Sequence, residues 1–202
     1  MKIVFATGNK NKMKEIRKIL GGLGMEIQSM AEAGVEGDVE ENGSSFAENS
    51  MIKARAVAEE LKAKGDLDSI VLADDSGLEV DYLNGEPGIY SARYMGHDTP
   101  YSEKNAAIIE RLEGVKDEDR TARFVCAISA VLPDGKELST LGKMEGRIGY
   151  KIAGENGFGY DPIFFLPEYG KTSAEISEDE KNAISHRGKA LRSMAELLGE
   201  NI

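Results

Sequence analysis

The chain of 202 residues carries 36 acidic and 25 basic side chains, which give a formal net charge of −11. A chain of this length is expected to form one domain, or two intimate lobes, around a substantial hydrophobic core. The acidic balance argues against partners such as long nucleic acids or anionic membrane surfaces, because both need a broad basic face. It does not exclude a small phosphorylated ligand, since a local basic pocket can lie within an acidic protein.

The charge is unevenly distributed along the chain. Residues 1–20 carry six basic side chains and one acidic one, whereas residues 31–50 carry six acidic side chains and no basic one. Two solvated faces would give the same pattern, so charge alone does not locate a site.

Cysteine content and hydropathy indicate the compartment. The single cysteine, Cys126, lies in an apolar stretch, which predicts a buried thiol and excludes an intramolecular disulfide. No apolar run is long enough to span a bilayer, and the N-terminal stretch Ile3–Ala6 is too short for a signal peptide. We therefore expect a cytoplasmic protein.

Apolar periodicity in the first half of the chain predicts strands that alternate with helices. The predicted elements are a strand at Ile3–Ala6, a helix at Lys12–Leu20, a strand at Met25–Ser29, an acidic loop at 31–43, a helix opened by the capping-box spacing of Ser45 and Glu48 and ending near Lys64, and a central strand at Ile70–Ala73.

The second half of the chain contains a predicted hairpin among further helices and strands. Its elements are an extended segment at Leu78–Tyr82, a loop or short helix at Tyr90–Tyr94, a helix at Ser102–Glu113, hairpin strands at Ala122–Leu132 and Lys136–Met144, a strand at Ile163–Leu166, a capping box at Ser177–Glu180 and a helix at Gly188–Leu198. Because a hairpin interrupts the alternation, we expect a mixed α/β sheet that is not fully parallel.

The segment Thr7–Lys12 lies between the first strand and the first helix. Such a junction directs backbone N–H groups and the positive end of a helix at an anion, and its lysines add charge. It has neither the Walker A pattern nor the glycines of a dinucleotide-binding fingerprint. Phosphate binding and an ordinary strand–helix turn with solvated lysines both fit this pattern.

Two acidic segments are candidates for metal binding. Asp74-Asp75-Ser76-Gly77 follows an apolar strand, and ligands of α/β sheets favour the carboxyl ends of strands. Adjacent acids there can bind Mg²⁺ and position a water, although successive side chains on a strand point to opposite sides. An Asp-rich turn is the alternative. A Glu in the loop Glu40–Gly43 could reach the same metal, but a solvated loop fits that segment better.

Two later segments carry groups suited to a nucleobase. The glycines of Gly157–Pro162 flank aromatic side chains, which could stack on a flat ring, or could instead belong to the core. Ser185-His186-Arg187 places three polar groups in a row before the last helix, and Lys181 precedes it. A serine hydrolase triad is a poor interpretation, because no nucleophile elbow is present.

Taken together, these segments resemble the Ham1/inosine triphosphate pyrophosphatase family. The motifs that carry the resemblance, in chain order, are Thr7-Gly8-Asn9-x-x-Lys12, Glu41-x-Gly43 with Phe46-x-Glu48-Asn49 and Lys53-Ala54, Ala73-Asp74-Asp75-Ser76-Gly77, Pro87-Gly88-Ile89-Tyr90-Ser91-Ala92-Arg93, Gly157-Phe158-Gly159-Tyr160-Asp161-Pro162, and Lys181-x-Ala183-Ile184-Ser185-His186-Arg187.

The resemblance implies a fold and an activity. The family fold is a long twisted mixed β-sheet flanked by helices, in two lobes with the active cleft between them, and residues 1–202 would form this single domain. The implied activity is Mg²⁺-dependent hydrolysis of ITP, dITP and XTP to monophosphate and pyrophosphate, usually by a homodimer, without a nucleic acid polymer or a membrane as partner. A Maf-like pyrophosphatase for other bases and a nucleotide sensor without turnover are the alternatives.

The resemblance also implies roles for individual residues. By resemblance, Asp75 corresponds to the family's general base, which is also a Mg²⁺ ligand. Glu41 corresponds to a second metal ligand, and Asp74 corresponds to a supporting acid. The residues that resemble the triphosphate loop are Thr7, Gly8, Asn9, Lys10, Asn11 and Lys12. The remaining substrate contacts implied are Ser76, Phe158 and Tyr160 beside the base, Gly159 between them, Asp161 at the base edge, and Lys181, His186 and Arg187, which would hold the nucleotide and read the 6-oxo group.

Overall fold

A computed structural model of the chain describes residues 2–37 and 39–201; Asp38, which belongs to the predicted acidic loop, lies outside the described residues. Its helices are α1 (Lys10–Leu20), α2 (Phe46–Ala63), α3 (Tyr101–Arg111), α4 (Glu178–Ile184) and α5 (His186–Asn201). Its strands are β1 (Lys2–Phe5), β2 (Glu26–Ser29), β3 (Ile70–Val80), β4 (Thr121–Val131), β5 (Glu137–Ile148), β6 (Phe164–Leu166) and β7 (Lys171–Thr172).

The seven described strands form one sheet in the order β2-β1-β3-β4-β5-β6-β7. Strand β1 pairs in parallel with both β2 and β3, whereas β6 pairs antiparallel with β5 and β7. Parallel strands joined through helices and antiparallel neighbours therefore occur in the same sheet. The predicted mixed α/β class is confirmed.

The chain divides into two compact units, and β3, β4, β5 and α5 each pass from one into the other. Unit 1 contains residues 1–75, 126–142 and 187–202, and unit 2 contains residues 76–125 and 143–186. Neither unit is continuous in sequence. A linker between them was not predicted, and the unit boundaries fall inside regular elements.

The core of unit 1 has two layers, one on each face of its strands. Apolar side chains of α1 and α5 pack on one face, where Ile70 and Leu72 of β3 point. Those of α2 pack on the other face, where Val71 and Ala73 point. Since side chains alternate along a strand, the next two residues of β3, Asp74 and Asp75, point to opposite faces of the sheet. Cys126 is fully buried in the first layer, as predicted.

Unit 2 has its own core, built from strands, α3 and the segment before β6. The largest apolar contributors are Phe124, Tyr160 and Phe164. Arg120 is also buried, and its guanidinium donates hydrogen bonds to the carbonyls of Leu112 (2.7 Å), Ile148 and Gly149 (both 2.8 Å). These three bonds satisfy a polar group that would otherwise destabilise the interior.

Several predicted boundaries were wrong. The acidic pair Asp74-Asp75 does not follow a strand that ends at Ala73, because β3 continues to Val80. Its polar residues remain extended because each finds a partner. Helix α5 begins at His186 instead of Gly188, so Ser185-His186-Arg187 does not simply precede it. Helix α1 begins at Lys10, two residues earlier than predicted, because Asn9 caps it.

Smaller differences concern the end of the chain. Strand β5 runs four residues beyond Met144, and the two-residue strand β7 had no signal of its own in the sequence. The predicted capping box at Ser177 and Glu180 is present in full at the start of α4. Among the described residues, no helix has both the length and the apolar character needed to cross a membrane.

Candidate active site

The predicted phosphate segment forms the start of α1. The side-chain oxygen of Asn9 accepts hydrogen bonds from the N–H groups of Asn11 (2.9 Å) and Lys12 (3.2 Å), so it is the N-cap. Thr7 Oγ1 in turn accepts from the N–H of Asn9 at 3.1 Å. Gly8 and Lys10 are exposed. The segment is therefore a strand–cap–helix junction whose exposed residues can meet an anion, with two of its N–H groups engaged by the cap.

Asp74 lies on β3 within a buried group of charges. Its Oδ2 atom is 2.9 Å from Nζ of Lys12 and 3.4 Å from Nη2 of Arg187, and Arg187 also forms an ion pair with Glu15 of α1. Burial alone would raise the pKa of Asp74, but Lys12, Arg187 and Lys53 hold it well below its usual range. Asp74 therefore remains ionised, and Arg187 serves to hold it.

Asp75 points to the opposite face of β3, toward α2. Nδ2 of Asn49 donates to its Oδ2 at 3.1 Å, and Lys53, one turn further along α2, forms an ion pair of 2.7 Å with Glu41. Burial raises the pKa of Asp75 to about 6, aided by the charge of Glu41 and opposed by Lys53 and Asn49. A carboxylate with this pKa is suited to accept a proton near neutral pH.

The strand geometry explains why adjacent aspartates have such different surroundings. Asp74 continues the face of Ile70 and Leu72, beside α1 and α5, and Asp75 continues the face of Val71 and Ala73, beside α2. The sequence-based expectation that both acids need not touch one metal agrees with this alternation. Ser76, the next residue of β3, is half-buried and begins unit 2.

The donor set of unit 1 fits a hard divalent cation. Oδ1 of Asp74 is buried and has no hydrogen-bond partner among the described residues, and Glu41 lies close enough to Asp75 to raise its pKa. Within residues 2–37 and 39–201, no three acidic, histidine or cysteine side chains already form a metal-binding cluster. Mg²⁺ usually keeps several waters and needs only one or two carboxylates besides substrate phosphates. The residues therefore fit Mg²⁺ in that manner.

In unit 2, Asp161 holds the glycine-rich loop that precedes β6. Its Oδ2 accepts from the N–H of Phe158 (2.8 Å) and from Nζ of Lys181 (2.6 Å), and its Oδ1 accepts from Oγ of Ser173 (2.8 Å). Gly157 has a φ of +74°, and a Cβ there would lie 2.2 Å from Asp161 Oδ2. Both oxygens of Asp161 thus have protein donors, which favours a supporting role over contact with a base edge.

The two aromatic residues of this loop differ in exposure. Phe158 is half-buried, with Nζ of Lys181 5.1 Å from its ring centroid, so it retains surface that could stack on a ligand. Tyr160 is only 4% exposed, and its hydroxyl donates to the carbonyl of Ser91 at 2.7 Å. Gly159 between them accepts from Asn105 of α3. Tyr160 therefore supports the loop, and its contact with a base stays a prediction.

His186 is the first residue of α5 and is 7% exposed. Its imidazole stacks on the ring of Phe124 with centroids 4.9 Å apart and planes at 17°. Phe124 in turn packs against Phe164 at 4.4 Å. The orientation of the imidazole is thus fixed by an aromatic stack on β4. Arg187, the next residue, belongs to unit 1 and contacts Asp74 and Glu15 instead.

The structure adds residues to the predicted set. Lys53 pairs with Glu41, Asn49 donates to Asp75, and Glu15 pairs with Arg187. Phe124 and Ser173 support His186 and Asp161. The helical spacing of Asn49 and Lys53, four residues apart, was a usable signal, because residues so spaced share a helix face. No local pattern marks Phe124, since its position opposite His186 depends on long-range packing.

Comparisons with known proteins agree with this architecture. The family model described as the Ham1 family matches residues 3–197. A protein of Clostridium perfringens named dITP/XTP pyrophosphatase is 51% identical over 98% of this chain and 97% of its own length. A solved HAM1 protein structure from Coxiella burnetii has a TM-score of 0.86 and 41% identity, and covers 99% of both chains.

A second solved structure, the Ham1 protein of Staphylococcus aureus, also has a TM-score of 0.86, with 39% identity over the full length of both chains. Similarity of this extent covers both units and every candidate residue described above. The chain belongs to the Ham1 family.

Proposed function

We propose that this protein is a nucleoside triphosphate pyrophosphatase that converts ITP, dITP and XTP to the monophosphate and pyrophosphate, and so removes non-canonical purines from the nucleotide pool. The observation that carries the proposal is the environment of Asp75, a buried carboxyl with a pKa of about 6 beside Glu41 and Lys53. The name of the Clostridium perfringens relative supports the substrate class.

The residues of unit 1 suit an attack of water on the α-phosphorus. Asp75 accepts the proton of the attacking water at a carboxylate oxygen, while Asn49 holds the other side of the carboxyl. Lys12 and Lys53 lie beside Asp74 and Glu41 and can share their charge with the phosphate oxygens. The pyrophosphate then leaves, and the nucleoside monophosphate remains.

We include Mg²⁺ in this proposal, held by Glu41 and Asp75 with support from Asp74. The ion would supply positive charge to the triphosphate, whose charge is about −4, and to the transition state. Lys53 pairs with Glu41, and although burial lowers the pKa of Lys53, the carboxylates of Asp74, Asp75 and Glu41 raise it. Acids that already surround one cation, the ammonium of Lys53, are chemically suited to bind a second cation such as Mg²⁺.

Unit 2 is proposed to select the base. His186, Lys181 and the loop around Phe158 offer donors and a stacking surface, and hypoxanthine and xanthine present an acceptor at position 6 where adenine presents an amino group. A mismatched buried polar group costs about 1–3 kcal/mol, so one or two contacts give useful discrimination.

A substrate panel tests the function. The protein with Mg²⁺ is assayed on ITP, dITP, XTP, GTP, ATP and dTTP, with pyrophosphate and inorganic phosphate quantified separately. We expect equal amounts of monophosphate and pyrophosphate from the first three nucleotides. Release of single phosphates, or a preference for ATP or dTTP, would reject the assignment. Binding without turnover would support a sensor instead.

The family resemblance also leads us to propose a homodimer that acts in the cytoplasm. Light scattering coupled to gel filtration measures the mass directly, and we expect about twice the 21.9 kDa of the chain. A monomer at micromolar concentration would contradict the first proposal, and cell fractionation tests the second.

A further inference from the structure

Asn49 is a fully buried polar residue in the first turn of α2, and both ends of its amide are engaged. Its Nδ2 donates to Oδ2 of Asp75 at 3.1 Å, and its Oδ1 accepts from the N–H of Gly43 at 2.9 Å. Gly43 lies two residues after Glu41. One amide group therefore joins the loop that carries Glu41 to the strand that carries Asp75.

The approach of the loop to Asn49 is as close as the backbone permits. A Cβ on Gly43 would lie 2.8 Å from Asn49 Oδ1 and 2.8 Å from the Cβ of Glu48. Real Cβ atoms do not approach other atoms this closely, so only glycine allows the contact. The distance to the Cβ of Glu48 does not involve a hydrogen-bonding atom, so it is separate support for a loop held close to α2.

A second attachment of the same loop provides a natural comparison. The carboxylate of Glu48 accepts from the N–H and the hydroxyl of Ser44, both at 2.7 Å. Glu48 is exposed, and these two bonds connect the loop to α2 and not to Asp75. Asn49, by contrast, connects the loop to the second carboxylate.

We propose that Asn49 is a positioning residue that ties the Glu41 loop to Asp75 and so fixes the arrangement of the two carboxylates before a divalent cation binds. The inference rests on the proposed function, because it assumes that Glu41 and Asp75 bind the cation. Residues that orient metal ligands through hydrogen bonds commonly change metal affinity by about 10- to 100-fold when removed. A loop ordered in advance loses less conformational entropy when the ion arrives.

The test measures cation binding in the absence of nucleotide and of turnover. Mn²⁺ is titrated into the wild-type protein, Asn49→Leu and Glu48→Ala, and free Mn²⁺ is followed by its electron paramagnetic resonance signal. Asn49→Leu keeps a side chain of similar size but removes both hydrogen bonds. We expect its Kd for Mn²⁺ to rise by about 10-fold or more. Glu48→Ala, which loosens the loop without affecting the bond to Asp75, should stay within about threefold of wild type.

Thermal melts and circular dichroism report on folding in parallel. A folded Asn49→Leu protein that binds Mn²⁺ as the wild type does would overturn the inference, as would an equal loss in Glu48→Ala. If Asn49→Leu does not fold, Gly43→Ala decides, because the added Cβ displaces the same contact from the loop side. It should also bind Mn²⁺ about 10-fold more weakly, and unchanged binding would overturn the inference. Absence of Mn²⁺ binding by the wild type would reject the metal site itself.

Discussion

The candidate groups of the two units are built from different chemistry. The group in unit 1 consists of charged side chains around β3: Lys12, Glu15, Glu41, Lys53, Asp74, Asp75 and Arg187. The group in unit 2 contains the buried ion pair of Lys181 with Asp161, together with stacked rings and backbone hydrogen bonds. Charge attracts any triphosphate, whereas oriented rings and donors distinguish one base from another. Under the proposed function, the two units would therefore divide catalysis from base selection.

Within unit 1, Asp74 and Asp75 give a second contrast. They are adjacent on one strand, yet the pKa of Asp74 is depressed and that of Asp75 is raised to about 6. Lys12 and Arg187 lie on the side of Asp74, whereas for Asp75 burial and the charge of Glu41 outweigh Lys53 and the amide of Asn49, which lower its pKa. Their surroundings therefore give the two carboxyls different properties: Asp74 stays ionised, whereas Asp75 is able to exchange a proton.

The largest expected effect follows from removing the proposed base. Asp75→Asn should lower the rate of pyrophosphate release by about 10²- to 10⁴-fold, because an amide cannot accept the proton of the attacking water. Calorimetry should show that nucleotide binding is retained. Asp134→Asn, in the exposed turn between β4 and β5, is the matched control and should be fully active. A near wild-type rate for Asp75→Asn would remove Asp75 as the base.

A change in unit 2 should affect folding more than chemistry. Asp161→Asn leaves the buried ammonium of Lys181 beside a neutral amide, and breaking a buried pair costs about 3–5 kcal/mol of unfolding free energy. Urea denaturation measures this loss, with Asp98→Asn at an exposed position as the control. An unchanged midpoint would show that the ion pair does not hold the loop, and the contrast between the units would lose its basis.

Base selection should separate from phosphate binding in two variants. His186→Ala should reduce the ratio of kcat/KM for ITP over ATP by about 5- to 150-fold, which corresponds to about 1–3 kcal/mol. Lys12→Ala should reduce kcat/KM for both nucleotides alike, because its ammonium pairs with Asp74 on the charged side. Equal losses on both substrates from both variants would mean that His186 does not read the base.

The smallest expected effect is a gain in stability. Folding raises the pKa of Asp75 from 3.8 to about 6, so the folded state binds this proton more tightly, and stability is lost as the pH rises from about 4 through 6. Asp75→Asn removes that loss. Thermal melts in EDTA should show that the free energy of unfolding of Asp75→Asn exceeds that of wild type by about 1–3 kcal/mol at pH 7.5. This difference between variant and wild type should disappear as the pH falls toward 4.

Asp74→Asn should change stability in the opposite direction in the same measurement. The depressed pKa of Asp74 contributes stability that is present at neutral pH and is lost as the pH falls. Its asparagine variant should therefore be less stable than wild type at pH 7.5. If both variants shifted stability in the same direction, the assignment of opposite environments to the two acids would be wrong.

The sequence predicted most of the regular elements because apolar periodicity, caps and glycines are local signals, and its ordered motifs predicted the family by resemblance. The central helix α2, for instance, begins at its predicted cap Ser45. Prediction from the sequence failed where long-range contacts determine the boundary of an element. Asp74, Asp75 and Ser76 fit a turn by sequence, but all three lie inside β3, where Asp74 meets α1 and α5 and Asp75 meets α2.

The same limit applies to the candidate site. Glu41, Asp74 and Asp75 were predicted with their neighbours, and the structure brings them together around Lys53. Asn49 and Lys53 were quoted in a motif but given no role, since a contact such as that of Asn49 with Asp75 joins positions 26 residues apart in the chain. Arg187 was predicted to read the base, whereas in the structure it pairs with Glu15 and Asp74, and these contacts depend on how α1 and α5 pack on β3.

The buried Cys126 has a practical consequence for spectroscopy. It is the chain's single cysteine, and burial raises the pKa of its thiol to about 12, so it will not compete for maleimide dyes. Cysteines introduced at the exposed positions Leu67 in unit 1 and Tyr82 in unit 2 can therefore be labelled without altering the interior. Energy transfer between those dyes would report, molecule by molecule, whether nucleotide changes the distance between the two units.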